Sequence, residues 1–284
     1  MTSDEKRPGI RLSTAHSREL EEELRRARAR ARMTTQKVAH ALGWSTGKVS
    51  KLEGGSRGTD TADIAVVLGL YVADADTRAR IIGLSREGGT RNFVRLHHSN
   101  PDSLATLVAH ERIVQSSTTY GPVIIPALAQ TPGYTRALTD DAAAVDARLA
   151  RQQRVRARNA VNTFYIHQTA LRTVVGGDAI MRQQLLHLAQ MCSWHWHTVR
   201  VIPSTTNVGT TLRTPVTLLT FAEPDNPVVY VETDAATVFH DDPDVVAAYQ
   251  ARLARISHLA LNAQKSQELI LRMAEHYDRT ADTA

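Results

Sequence analysis

The sequence is poor in cysteine and has no long apolar run. Its 284 residues include one cysteine, Cys192, so no internal disulfide can form and a reducing compartment is expected. The N-terminus is polar and lacks the apolar core of a secretory signal peptide. No window approaches the roughly 20 apolar residues that a membrane span requires. These absences predict a cytoplasmic protein that has no contact with membranes.

The motifs of common catalytic classes are also missing. The chain has no Gly-x-Ser-x-Gly element, no glycine-rich loop that could cradle phosphate and no His-Glu-x-x-His pair. The paired acids Asp140-Asp141 and Asp241-Asp242 fall at expected turns or helix starts, where aspartate commonly caps the helix. The sequence therefore predicts that the protein is not an enzyme, and no catalytic residue is assigned.

One cluster has the residue types of a metal site. Trp194-His195-Trp196-His197 follows Cys192, and histidines at i and i+2 of a strand point to the same side. Thiolate and imidazole suit zinc, but no second cysteine exists and no His-Glu pair at helical spacing accompanies them. The favoured interpretation is a helix-to-strand junction with packed indoles and solvated imidazoles. Neither a metal nor a cofactor is predicted.

What the chain does contain is a helix-turn-helix pattern over residues 35–54. Ala39 lies where two helices would cross closely, Gly43 where the chain must reverse with a positive φ, and Ser45 where it can cap the second helix. The apolar residues that would join the two helices are Val38, Leu42, Val49 and Leu52. A plain helical hairpin would share this apolar seam, but it would not explain the charge around it.

Positive charge is concentrated around this pattern. The chain has a net charge of +5 and is 42% hydrophobic. Between residues 24 and 57 the one acid is Glu53, and the basic residues are Arg25, Arg26, Arg28, Arg30, Arg32, Lys37, Lys48, Lys51 and Arg57. Such a run is usually only solvated, but beside a recognition helix it indicates a surface that faces phosphates.

The second helix of the pattern has a polar outer face of the kind that enters the major groove of DNA. We expect Thr46, Lys48 and Lys51 to contact bases or phosphates, and Gln36 and Arg57 to contact the DNA backbone. The predicted DNA-binding residues are Gln36, Ser45, Thr46, Lys48, Ser50, Lys51 and Arg57. The predicted partner is a double-stranded DNA operator.

The pattern of helices and strands predicts a mainly α protein that is α+β overall. Residues 1–16 are expected to form a flexible tail, residues 17–88 a five-helix bundle that contains the helix-turn-helix, and residues 89–100 a linker in which Gly88-Gly89 permits reorientation. Residues 101–279 are expected to form an α+β domain with a small sheet and C-terminal helices. The strand-like runs are residues 164–166, 198–202, 217–221 and 228–231.

The segment from Pro126 to Arg136 is the predicted site for a signal. It combines an apolar run between two prolines with polar and aromatic side chains, the mix that ligand pockets use. The residues assigned to it are Gln130, Thr131, Tyr134, Arg136 and Arg154. The alternative is that Gln130 and Thr131 cap the following helix while Tyr134 lies in the core.

A homodimer is also predicted, because one bundle reads too few base pairs to discriminate among genomic sites. The candidate interface is the apolar stripe Val246, Tyr249, Leu253, Ile256 and Leu259 of a C-terminal helix. The same stripe could instead face the core of the domain.

The chain resembles the Xre-type helix-turn-helix regulators of actinobacteria, in the WhiJ-like group with an antitoxin-like C-terminal domain. The N-terminal match runs through residues 24–28, 38–39, 43–45 and 48–53, and the C-terminal match through residues 125–131, 134, 136–137, 148–154, 176–177, 181–185, 201–203 and 229–232. The chain departs from the family pattern where Ala127 replaces a glycine and Ala129 a leucine. The resemblance implies a transcription regulator without enzyme activity, often encoded beside a small partner protein.

Pattern and resemblance together predict a sequence-specific DNA-binding transcription regulator, whose C-terminal domain senses a small-molecule effector or binds a small partner protein. The alternative is a non-catalytic antitoxin-type protein that sequesters a small partner, with autoregulation secondary. An enzyme fused to a DNA-binding domain ranks third.

Overall fold

The computed structural model describes residues 14–54, 60–87, 91–97, 103–206, 214–222, 226–233 and 235–281. The helices are α1 (Ala15–Arg30), α2 (Thr35–Leu42), α3 (Thr46–Glu53), α4 (Thr61–Leu70), α5 (Ala75–Arg86), α6 (Ser103–Glu111), α7 (Pro132–Leu138), α8 (Ala142–Ala157), α9 (Gln168–Arg172), α10 (Asp178–Met191), α11 (Pro243–Leu259) and α12 (Ala263–Ala281). The strands are β1 (Asn92–Leu96), β2 (Val114–Gly121), β3 (Val161–His167), β4 (His197–Ile202), β5 (Val216–Phe221), β6 (Val228–Glu232) and β7 (Ala236–His240).

The N-terminal bundle consists of α1 to α5, and each of these helices starts at a side-chain cap. The caps are Thr14, Thr34, Ser45, Asp60 and Asp74, whose side-chain oxygens accept hydrogen bonds from backbone N–H groups of the first turn. Seven fully buried side chains of the described residues form the centre of the bundle core: Leu24, Val38, Val49, Ile64, Val67, Leu68 and Ile81. Local capping and helical spacing thus explain the five helices that the sequence predicts.

The C-terminal domain is built on a seven-stranded mixed sheet with the order β1-β7-β6-β5-β2-β3-β4. Strands β2, β3 and β4 are parallel, and the remaining neighbours are antiparallel. Helices fill both connections between the parallel strands, as such crossovers require. This confirms the predicted α+β fold, with a sheet larger than the four predicted strands.

Helices cover both faces of this sheet. On one face α10 and α12 pack together over a core that includes Phe164, Leu185 and Ile270. On the other face α11 packs against the sheet through Val246, Leu253 and Ile256, which are buried among strand residues. These three residues of the apolar stripe therefore belong to the core, and they are not a free surface for a second protomer.

The predicted linker over residues 89–100 contains a strand. β1 pairs antiparallel with β7, and the Phe93 and Phe239 rings stack with their centroids 5.0 Å apart. The sequence pattern misses β1 because five residues that include Asn92 and Arg95 show little apolar alternation. The predicted hinge at Gly88-Gly89 lies outside the described residues.

Helix α1 packs against both parts of the molecule. Its middle residues Leu20 and Leu24 lie in the bundle core, whereas Ala15 lies in a core cluster of the C-terminal domain. The backbone N–H of Ala15 donates to Asp241 Oδ2 at 2.7 Å. Glu19 pairs with Arg95 of β1, with Arg95 Nη2 and Glu19 Oε2 2.6 Å apart. The first helix is thus shared between the bundle and the sheet.

Candidate functional site

The turn between α2 and α3 has the geometry that the helix-turn-helix pattern predicts. Gly43 ends α2 with φ +64°, a left-handed conformation that favours glycine. The N–H of Trp44 donates to Ala39 O at 2.9 Å, which closes the end of α2. Ser45 Oγ then accepts from the N–H of Lys48 at 3.1 Å and caps α3. The turn therefore fixes the angle at which α3 leaves α2.

The two sides of α3 differ in burial. Val49 and Leu52 are buried against the bundle. The sequence-predicted DNA-binding residues of the described chain are all exposed: Gln36, Ser45, Thr46, Lys48, Ser50 and Lys51. Arg57, also predicted to bind DNA, lies outside the described residues. The exposed residues of α3 together form a polar surface, which we call the α3 face (Ser45, Thr46, Lys48, Ser50 and Lys51).

Lys48 is held in place by two groups of the bundle. Its Nζ lies 3.0 Å from Asp63 Oδ1 and 3.8 Å from the centroid of the Trp44 ring. Lys51 forms no ion pair with any described residue. The α3 face thus carries one cation with an internal partner and one that is free to meet a phosphate. Sequence analysis did not assign Trp44 to this surface, although it lies beside Ser45.

Two of the α1 arginines that were expected to face phosphates pair with acids of their own helix. Arg25 pairs with Glu21, and Arg26 lies 3.4 Å from carboxylate oxygens of Glu22 and Glu23. Glu21, Glu22 and Glu23 lie just before the basic stretch of residues 24–57, so the charge of that stretch does not include them. Most of the positive charge of α1 is therefore neutralised within the protein.

Arg28 has a different role, because it ties α1 to the end of α3. Its Nε donates to Glu53 Oε1 at 2.6 Å, and its Nη1 donates to Met33 O at 2.9 Å. Tyr71 also donates its hydroxyl to Glu53 Oε1, at 3.3 Å. Burial, together with the Glu53 charge, raises the pKa of Tyr71, so this hydroxyl keeps its proton. Buried charge pairing thus holds α3 against α1 and the end of α4.

The C-terminal domain contains a cavity of about 600 Å³ between the sheet and the segment that follows β2. Strand residues Thr119, Thr217 and Tyr230 form its buried floor. Its apolar wall consists of Ile124, Ile125, Pro126, Leu128, Leu138 and Val216. A Cβ at Gly121 would lie 2.8 Å from Ile124 O, so glycine lets the segment fold back over the sheet. The volume lies within the range of small-molecule sites.

Polar groups of three different kinds line the same cavity. Arg148 of α8 donates from Nη1 to Gln130 Oε1 at 3.0 Å, and Gln130 donates from Nε2 to Ile125 O at 2.7 Å. Glu232, the last residue of β6, also lines the cavity. Thr119 and Thr217 hydroxyls are 3.1 Å apart on the floor. The cavity therefore offers a cation, an anion and hydroxyl groups within an apolar enclosure.

Of the five residues predicted to bind a signal, the structure brings only Gln130 to this cavity. Thr131 caps α7 by accepting from the N–H of Tyr134 at 3.2 Å, and Tyr134 is fully buried in the core. Arg136 and Arg154 are exposed and do not line the cavity. For Thr131 and Tyr134 the structure has the arrangement of the alternative prediction.

Among the cavity residues that the sequence analysis did not assign to a binding site are Arg148, Tyr230 and Glu232. Arg148 is one arginine among several on α8, and nothing local marks it as the one that faces the cavity. A charged residue directly after the apolar run 228–231 is a signal that could have singled out Glu232. Tyr230 carried no such signal.

The cluster around Trp194 lacks the properties of a metal site. Within the described ranges no group of three or more His, Cys, Asp or Glu side chains could hold a metal ion. Burial raises the pKa of the Cys192 thiol to about 11 and lowers that of His197 to about 4. The Trp194 ring packs near His187 and His197, with centroids 5.8 Å and 5.6 Å apart.

The described helices also include none that is long and apolar enough to cross a membrane.

Comparison with known families gives the class of protein first. Residues 19–81 match a helix-turn-helix domain, the region that contains most of α1, all of α2 to α4 and part of α5. Together with the geometry of α3, this match identifies a DNA-binding regulator of the helix-turn-helix class. Residues 104–272 match a domain of unknown function, DUF5753, and the chain belongs to this family.

More distant comparisons add little. No curated protein sequence matches the chain. Among solved structures, the chain is similar to TrmBL2, described as an archaeal chromatin protein with a novel mode of DNA binding. The sequences are 11% identical with a TM-score of 0.34, and the alignment covers 70% of this chain and 64% of that chain. This chain thus spans less than two thirds of the length of TrmBL2, and a likeness at this level does not define its function.

Proposed function

We propose that the protein is a cytoplasmic, sequence-specific transcription regulator of the Xre type, which binds operator DNA through the α3 face and a small-molecule effector through the cavity. One observation carries the DNA-binding part of this proposal. The helix α3 is capped by Ser45, buried on one side through Val49 and Leu52, and exposed along its polar side. A helix presented in this way fits the major groove of DNA.

The α3 face suits both kinds of DNA contact. Thr46 lies at the N-terminus of α3, the end that meets base edges in proteins of this type. Lys51 has no internal ion-pair partner among the described residues, so its charge is available to a phosphate. Lys48 is already positioned by Trp44 and Asp63, so little side-chain freedom would be lost when it binds.

A series of contacts connects the cavity to the bundle. Arg148 of the cavity and Arg151 are one turn apart on α8, and Arg151 Nη2 lies 2.7 Å from Glu111 Oε1 of α6. The next residue along the chain, Arg112, pairs with Glu22 of α1. A ligand that shifts α8 would therefore act on α6 and α1, and a coupling of about 1–3 kcal/mol is typical of such regulation.

The proposal includes a homodimer on DNA. One bundle contacts only a few base pairs, and two-fold pairing on half-sites about 34 Å apart is the common solution. Because Val246, Leu253 and Ile256 are core residues, the contact between protomers must lie outside that stripe.

The experiment begins with genomic footprinting of the intact protein, which gives the operator. Binding of Lys51→Ala to that operator is then compared with Lys265→Ala, which removes an exposed lysine at the start of α12. We expect Lys51→Ala to weaken binding by roughly 1–3 kcal/mol if Lys51 contacts a base, or to flatten the salt dependence by about one unit if it contacts only phosphate. Analytical ultracentrifugation on the same operator should show two protomers per site.

An affinity and salt dependence of Lys51→Ala equal to those of Lys265→Ala, with Lys48→Ala equally silent, would remove the α3 face from the interface. All three changes are on exposed helix surfaces, so loss of folding is not expected to affect the comparison.

The antitoxin-type alternative has one supporting observation. β1 is an edge strand, and its Val94 and Leu96 side chains are 50% and 57% exposed, as in strands that pair with another chain. The footprinting experiment separates the two functions. A protein that mainly sequesters a partner needs sites only at its own promoter, whereas a regulator of other genes occupies further operators.

A further inference from the structure

The cavity contains two opposite charges that do not pair with each other. Arg148 and Glu232 both line it, yet no nitrogen of Arg148 lies within 4.0 Å of a Glu232 oxygen. In two other pairs of the described chain, Arg28–Glu53 and Arg151–Glu111, the arginine contacts its carboxylate directly. Two partly buried charges without a mutual bond need another partner, because burial of an unpaired charge is costly.

Arg148 retains most of its hydrogen-bonding capacity. Among the described residues its guanidinium has one hydrogen bond, to the neutral Gln130 side chain. A guanidinium carries five N–H donors in a planar arrangement that matches the two oxygens of a carboxylate. Burial lowers the pKa of Arg148, and the Glu232 charge opposes that shift, so each charge already stabilises the other at a distance.

The Glu232 carboxylate also lacks a hydrogen-bonded partner among the described residues. Its carboxylate makes no hydrogen bond or ion pair with any residue that the structure describes, although carboxylate oxygens offer about four acceptor positions. An ammonium group or another cationic donor is the group that Glu232 lacks.

The same cavity is also lined by apolar side chains, among them Ile124, Leu128, Leu138 and Val216. The volume of about 600 Å³ exceeds what a single small amino acid would fill. A ligand that fits this cavity therefore carries an anionic group and a cationic group, with apolar groups between or beside them.

We propose that the cavity binds a zwitterionic molecule of the short-peptide class, whose carboxylate is bound by Arg148, whose ammonium is bound by Glu232 and whose side chains lie on the apolar wall. This inference extends the proposed function. Its consequence, that such a peptide is the signal that alters operator binding, rests on that proposed function. The binding itself can be measured without DNA.

The test uses the full chain and a library of apolar dipeptides in four forms: uncapped, N-acetylated, C-amidated and capped at both ends. Ligand-observed NMR identifies binders in pools, and calorimetry measures their affinity. We expect binders among the uncapped dipeptides, and we expect capping at either end to weaken binding about 10- to 100-fold, the loss typical of one charged hydrogen-bonded contact.

Variants assign the two ends of the ligand. Arg148→Gln should abolish the difference between the free and the amidated C-terminus, and Glu232→Gln should abolish the difference between the free and the acetylated N-terminus. Arg154→Gln, an exposed arginine on the same helix, is the matched control and should bind as the wild type does. Thermal melting of each variant confirms that it is folded.

Several results would overturn the inference: no uncapped dipeptide binds, capped dipeptides bind equally well, or folded Arg148→Gln and Glu232→Gln bind as the wild type does. Operator binding is measured on the same preparations. If the protein binds its operator but no peptide, the peptide proposal is rejected and the proposed DNA binding stands. If it binds peptides but no operator, the proposed regulator function is rejected and the peptide site stands.

Discussion

The cavity and the core directly beneath it use arginine in opposite ways. Arg151 is 2% exposed, and its guanidinium contacts both oxygens of Glu111, with Nε 3.1 Å from each. Arg148, one helical turn away on α8, faces the cavity, and its hydrogen-bond partner among the described residues is the Gln130 amide. Of these two arginines on one helix, Arg151 thus belongs to a buried ion pair and Arg148 lines the cavity.

The difference separates charges that stabilise the fold from charges that are available for binding. Burial alone would lower the pKa of Arg151, but Glu111 reverses this and raises the pKa above its ordinary value. Burial lowers the pKa of Arg148, and the more distant Glu232 charge only partly offsets this shift. With Glu111 present, Arg151 is therefore expected to stabilise the folded state, whereas Arg148 is expected to contribute little to it.

The largest expected effect comes from breaking the buried pair. Arg151→Met leaves the Glu111 carboxylate buried without a partner, and we expect a loss of about 3–5 kcal/mol in the free energy of unfolding, measured by urea denaturation. The double change Arg151→Met with Glu111→Leu should recover much of this loss, because it removes both charges together. Equal losses in the single and double variants would show that packing, rather than the unpaired charge, sets the cost.

A second prediction concerns His110, the neighbour of Glu111 on α6. Burial lowers its pKa to about 3, with the Arg18 charge adding to the shift, so this side chain is buried without charge. Below its ordinary pKa of 6.5 the unfolded chain binds a proton that the folded chain does not. Stability from this source is complete above pH 6.5 and falls by up to about 1.4 kcal/mol per pH unit toward pH 3.

The measurement is the unfolding free energy of the wild type and of His110→Gln between pH 7 and pH 5. On acidification the unfolding free energy of the wild type should fall by the His110 contribution in addition to the change due to other groups. That of the variant should show only the change due to other groups. Parallel curves for the two proteins would mean that His110 has no such shift. His258→Gln, which alters an exposed histidine of α11, is the control for a solvated imidazole.

The smallest effect is expected at the cavity itself. Arg148→Gln removes a desolvated charge that has no ion-pair partner, so we expect the unfolding free energy to change by less than about 1 kcal/mol in either direction. Urea denaturation beside Arg151→Met gives the direct comparison. A loss as large as that of Arg151→Met would place Arg148 with the charges that stabilise the fold.

The bundle could be predicted from sequence because its signals are local. Gly43 ends α2, Ser45 caps α3 and the apolar spacing identifies the buried side, each within a few residues of the feature it determines. The ion pair between Arg28 of α1 and Glu53 was missed because it is not local. Arg28 finds Glu53, which is 25 residues away, and the spacing of charges along one helix does not reveal that contact.

The cavity could not be predicted because it is assembled from distant segments. Gln130 was found through its local sequence, but Arg148 and Glu232 come from α8 and β6 and meet only when the sheet forms. β1 and β7 were missed as strands because their pairing, through Phe93 and Phe239, joins residues far apart in the chain. Helical periodicity is visible in a window, whereas strand partners are not.

The position of α1 limits how this protein can exchange parts with others. Gene fusion usually joins DNA-binding and sensing modules at the connection between them, here around residues 88–100. A chimera made at that point would separate β1 from the bundle, and Arg95 from Glu19 with it, and would leave Asp241 without the N–H of Ala15. The two halves of this protein are therefore expected to be inherited together, and a change of target operator is easier to reach by substitutions on α3 than by recombination.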